Sequence, residues 1–110
     1  MIIRSTRGAD YIVGDNIGII CVGRNAATVT EGDYAKLCQK IDLLTETFAI
    51  PILLYEKGCR VQIEPVNNGI DSLLTMAAYF TIAKRIHFLI LDDEDEIGRM
   101  IDCIAKMPVA

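Results

Sequence analysis

Histidine is nearly missing from this chain, with His87 its single example. A His–Cys or His–Ser catalytic pair would have to be built around that one ring. It stands between Ile86 and Phe88 in an apolar run, where it reads as a structural or edge residue. The four cysteines, at 21, 38, 59 and 103, form no C-x-x-C and match no metal-ligand spacing, so reduced packing cysteines are expected. No G-x-G-x-x-G or G-x-x-x-x-G-K-[ST] occurs. Gly14, Gly18 and Gly23 are spaced wrongly for either pattern, which leaves nucleotide-phosphate cradles unsupported. Gly18, inside an apolar run, is expected to permit a bulge or a close backbone approach. A basic stripe with interleaved aromatics is also missing, and nucleic acid is not an expected partner. No apolar stretch approaches the roughly 18–20 residues that cross a bilayer. The opening MIIRSTRGAD carries no apolar signal segment. The expectation is therefore no membrane partner and a cytoplasmic location. Linker-like runs of Pro, Gly or Ser are absent too, so residues 1–110 read as a single domain.

What is present is apolar residue, at 52% of the 110 positions. That length supports one core without disulfide or metal. So high an apolar fraction must hide much surface, and a partner is one way to hide it. The net charge of −4 is unevenly spread: residues 1–30 carry three Arg and two Asp, and the remainder carries eight Lys or Arg against thirteen Asp or Glu.

Short strands are expected over 2–6 and 9–13, a turn at Asp15-Asn16, and a buried strand over 17–23. Thr30 is placed to cap a helix carrying Tyr34, Leu37, Cys38, Ile41, Leu44 and Phe48 on one stripe. That helix should end before Pro51, since residues preceding proline avoid the helical region. Residues 50–56 form an apolar strand. Lys57-Gly58 then turns the chain into an alternating segment, Cys59 to Glu64, expected as the wet edge of a hairpin. The Ile70–Ala83 helix is apolar nearly all round, which suggests burial on several sides or packing against a second copy. Ile86 to Leu91 is a continuous apolar run, expected as a central strand buried on both faces. A closing helix places Ile97, Met100, Ile101 and Ile104 inward. The fold class is thus α/β: a single-domain mixed sheet of four to six strands covered by three helices, in the order β-β-α-β-β-α-β-α.

Two places invite chemistry. Asp92, Asp93, Glu94, Asp95 and Glu96 follow the last strand, at the edge where open α/β sheets place ligands. Carboxylates there suit a hard cation such as magnesium, with Asp92, Asp93 and Glu94 as candidate ligands. Acids in a first helical turn are also stabilised by the macrodipole, and no Lys or Ser/Thr follows on a later strand to complete a metal site. The second place is Ser72, in the first turn of the apolar helix, where an added phosphate would meet free amides. Arg24-Asn25, after the third strand, is a loop pair able to meet an anion.

TEGDYAKLCQKIDLLTE at 30–46 resembles the first helix of the STAS superfamily, the domain of anti-sigma-factor antagonists and sulphate-transporter tails, including its sporulation-antagonist-like branch. IDSLLTMAAYFTIAKRIHFLIL at 70–91 is similar to that family's Asp-Ser turn, apolar helix and following strand. Leu73-Leu74 stand where the family has small residues. The resemblance implies a non-catalytic regulatory module that binds a protein partner. Ser72 would be the phosphorylatable serine and Asp71 its preceding acid, and no cofactor is called for. The partner face would comprise Arg24, Asn25 and Asp71, with Tyr79 and Phe80 as anchors. Two alternatives stay open: a small metal-dependent enzyme or binder on the acidic cluster, and a structural homo-oligomer without a ligand.

Overall fold

The computed structural model describes residues 2–4, 9–23, 28–29, 31–61 and 70–107. Their order is β1 (Ile2–Arg4), β2 (Tyr11–Val13), β3 (Ile17–Val22), β4 (Thr28–Val29), α1 (Glu31–Thr47), β5 (Ile50–Glu56), β6 (Arg60–Val61), α2 (Ile70–Ile82), β7 (His87–Leu91) and α3 (Glu94–Lys106). Five strands make one mixed sheet in the order β1-β2-β3-β5-β7, and β4 and β6 form a separate pair. The class is α/β, with three helices among the described residues. None of those helices is long and apolar enough to cross a membrane.

The sheet begins as an antiparallel meander. β1 pairs with β2, and β2 with β3, the latter in the register Tyr11↔Ile19 to Val13↔Ile17. Gly14, in the left-handed region at φ 61°, turns β2 into β3 together with Asp15 and Asn16. Asp10 prolongs this pairing, because its carboxylate accepts from the Cys21 N–H at 2.7 Å. From β3 onward the strands of this sheet run parallel, with α1 between β3 and β5 in the chain and α2 between β5 and β7. β5 lies parallel to β3, and β7 parallel to β5.

Alternation along the strands sorts side chains into two cores, as a period of two requires. Ile20, Leu53, Tyr55 and Phe88 face α1 and α2, where Leu37, Ile41, Leu44, Phe48, Met76 and Phe80 pack on them. Ile17, Ile19, Ile52, Leu54 and Leu91 face α3, against Ile97, Ile101 and Ile104. The α1 stripe meets the sheet as its spacing predicts. Gly18 is where the two close tightly: a Cβ there would stand 2.4 Å from the Phe48 ring and 2.8 Å from Leu44. The glycine serves a close approach without a bulge, because β3 keeps unbroken register with β5.

Two expectations are corrected. The described part of the segment after Lys57-Gly58, Cys59 to Val61, makes no hairpin with β5; β6 pairs in parallel with β4 instead, and residues 62–64 lie outside the described residues. A Cys59 N–H to Glu56 carbonyl bond tightens the turn and turns the chain away from β5. Nor is β7 central: it is the last strand of the sheet, and only its end, Leu91, is buried. The reason is position: β7 has β5 on one side and no described strand on the other, so its side chains are covered from one flank only.

Candidate functional site

The acidic run resolves into a helix start. Asp93 is the N-cap of α3, with extended backbone, and its carboxylate accepts from the Glu96 N–H at 2.9 Å. Glu96 reaches back toward the Asp92 N–H at 3.4 Å, so the pair approximates a reciprocal capping box shifted by one residue. Glu94, Asp95 and Glu96 occupy the first turn, where the helix dipole favours negative charge. Among the described residues no three His, Cys, Asp or Glu side chains group to hold a metal ion. An open depression of about 500 Å³ lies beside this turn, with Tyr11, Glu94, Asp95, Arg99 and Asp102 on its walls. Its acids alternate with a guanidinium and do not converge on one point.

The backbone of Asp71 and Ser72 lies in the first turn of α2, as the sequence suggests. Their side chains, and all of Arg24 and Asn25, lie outside the described residues. The two aromatic candidates part company. Tyr79 is 43% exposed, and the Lys84 ammonium sits 5.9 Å from its ring centre. Phe80 is fully buried. It stacks on Tyr34 of α1 at 5.6 Å and meets Phe88 of β7 at 6.2 Å, so it joins α1, α2 and the sheet. Phe80 therefore cannot anchor a partner; neighbours on a helix point about 100° apart, and only one of these two faces outward.

Inside the α1–α2 core, Tyr55 donates to the Cys59 carbonyl at 2.6 Å. Burial pushes the Tyr55 phenol above its ordinary value, and burial likewise raises the Cys59 thiol. Tyr34 is pushed up to about 12, first by burial and then by the neighbouring Cys38. These shifts keep the groups protonated, which is core behaviour. All four cysteines are free thiols. His87 is exposed on β7.

What sequence reasoning missed is the outer edge of β7. Leu89 is 38% and Ile90 41% exposed, and α2, which packs on β7, carries exposed Leu74 and Ile82. Among the described residues no strand or helix lies beyond it. The Lys57 N–H donates to the Leu91 carbonyl at 2.7 Å, so Leu91 turns its backbone groups toward β5. Because backbone direction alternates along a strand, Phe88 and Ile90 turn theirs outward. One signal was available: no strand follows β7 in these residues, and crossovers that advance from β3 to β5 carry the next strand outward. Comparison with known proteins gives no matching family model and no matching curated relative.

Proposed function

We propose that this chain is a non-catalytic, cytoplasmic protein-interaction module of STAS-like kind, which takes its partner on the side formed by β7 and α2. The observation that carries the reading is the open edge of β7: outward backbone groups on an apolar strand with Leu89 and Ile90 exposed. Stable monomers ordinarily protect such an edge with lysine, proline, a bulge or a covering element. HFLIL contains no lysine or proline and no bulge, and among the described residues no strand pairs with its outer edge. An extended partner segment would satisfy the backbone groups and cover the side chains together. The antiparallel start, the parallel crossovers after it and the Asp71-Ser72 start of α2 support the STAS-like part of the reading. In that reading phosphorylation of Ser72 adds charge at the α2 N-terminus, where free amides stabilise it, and so alters docking on the same helix.

A photo-crosslinking residue at position 90, compared with one at exposed Glu46 on α1, tests the reading in cells. Adducts at 90 that are absent at 46 are expected. Their absence at 90 would overturn the docking edge. Equal adduct yields from Ser72→Ala and Ser72→Asp would remove the switch.

A further inference from the structure

We infer that the segment taken by the β7 edge is β7 of a second copy of this chain, paired antiparallel about a two-fold axis through Leu89. The inference rests on the docking-edge reading above and names its partner.

Backbone geometry comes first. Phe88 and Ile90 face outward, so an antiparallel copy must bring outward residues opposite each other to exchange hydrogen bonds. Centring the pair on Leu89 does this: Phe88 meets Ile90 of the copy, and Ile90 meets its Phe88. Leu89 then faces its own equivalent as a non-hydrogen-bonded pair, where side chains approach most closely. His87 meets Leu91, and all five residues of each strand are used. Each exposed apolar side chain of β7 gains an apolar cross-strand neighbour.

Charge selects the same arrangement. Lys84, Arg85 and His87 stand at the entry of β7, and Asp92 and Asp93 at its exit. Lys84 already bonds Asp42 of α1 at 2.8 Å, which leaves exposed Arg85 as the cation of that end. A parallel copy would set like charges side by side. The antiparallel copy sets Arg85 against Asp93 and beside Asp92 at both ends of the pair. Arg85 also holds the left-handed region at φ 56°, which glycine adopts more easily.

The two-fold stands perpendicular to the sheet, so faces are preserved. The α2 helices come to lie on one side of a continuous ten-stranded sheet and the α3 helices on the other. Leu74, Ala78 and Ile82 follow at four-residue spacing and form an exposed stripe on α2, on the face the two helices would share. A five-residue strand pair with flanking helices lies at the small end of specific interfaces, so a dissociation constant of order micromolar is expected.

The test combines mass and register. Sedimentation equilibrium of the full chain should show a monomer–dimer equilibrium, and Arg85→Asp should weaken it roughly tenfold. Ile90→Lys places a charge on the edge and should give a monomer with unchanged circular dichroism. In a Cys103→Ser background, Leu89→Cys should form an intermolecular disulfide on mild oxidation. His87→Cys should not, because its own equivalent lies about 13 Å away along the strand and disulfides need Cα atoms within about 7 Å. A dimer that cross-links at 87 rather than 89, or that survives Ile90→Lys, overturns the inference. A monomer up to about 200 µM without the 89 cross-link, far above the expected constant, also overturns it. If the position-90 probe then captures a different protein, the docking edge stands and only the second copy is refuted. If it captures nothing, both fail.

Discussion

Replacing Phe80 and its neighbour Tyr79 by alanine separates core from surface on one turn of α2. Phe80 has no exposed surface, and its ring touches Tyr34, Tyr79 and Phe88 at centroid distances of 5.6, 5.8 and 6.2 Å. Truncating a buried phenylalanine costs about 3–5 kcal/mol, through lost transfer free energy and the cavity left behind. A domain of this size holds only about 5–15 kcal/mol in all, so the loss is about a fifth of the total or more. With a urea slope of about 2 kcal/mol per molar, 4 kcal/mol moves the midpoint down by about 2 M. Tyr79 is 43% exposed and contributes a ring edge and one cation contact. Its truncation should cost under about 1 kcal/mol and move the midpoint by under about 0.5 M. Urea titration followed by far-ultraviolet circular dichroism reads both. If Phe80→Ala leaves no folded baseline, Phe80→Leu keeps the comparison, with a smaller loss of about 1–2 kcal/mol. A Phe80 variant as stable as the Tyr79 variant would refute the three-way ring contact and restore Phe80 to the surface.

Gly18→Ala should destabilise by about 1–3 kcal/mol through overpacking against Phe48, and Phe48→Leu in the same chain should recover part of that loss in urea titration. Asp93→Ala should cost about 0.5–2 kcal/mol as a lost N-cap, while Asp92→Ala should stay within about 0.5 kcal/mol, both by thermal unfolding. Tyr55, Tyr34 and Cys59 are all raised in the fold, so the unfolded chain releases their protons first. Their stabilisation is fully present below the ordinary thiol value of 9.0, and it is lost progressively as pH rises through the tyrosine value of 10.0 toward about 12 for Tyr34. Tyr55→Phe should make that alkaline decline shallower, and should cost about 0.5–1.5 kcal/mol at neutral pH by removing the hydrogen bond from its hydroxyl to the Cys59 carbonyl.

Period and punctuation made most elements readable. The α1 stripe, its stop before Pro51 and the inward Ile97, Ile101 and Ile104 of α3 follow from helical spacing and local chain chemistry. Pairing was harder to read. Arg60-Val61 alternates like a hairpin strand, yet it pairs with Thr28-Val29, because alternation records one wet face and says nothing about which strand lies alongside. The apolar run of β7 misled for a related reason. Continuous hydrophobicity signals burial, but an edge strand can carry the same letters as a central one. Tyr79 and Phe80 were indistinguishable by residue type, and only the rotation of α2 against α1 separates them.

The topology also explains why the carboxylates at the end of β7 do not sit in a cleft between described strands. Open α/β sheets bind at a point where successive crossovers diverge and leave a crevice between neighbouring strand ends. In this chain β3, β5 and β7 advance in one direction, and α1 and α2 both pack on one face. No divergence occurs among the described strands, so Asp92 and Asp93 emerge at the rim of the sheet instead of within a cleft. At a rim, their charge acts along the open strand. Arg85 stands at one end of β7 and the two aspartates at the other, which gives the edge a direction as well as an apolar middle. A lone cation or small anion would meet only one of those ends. A strand running the opposite way meets both, and so the charge that first suggested a metal is better matched to an antiparallel protein segment.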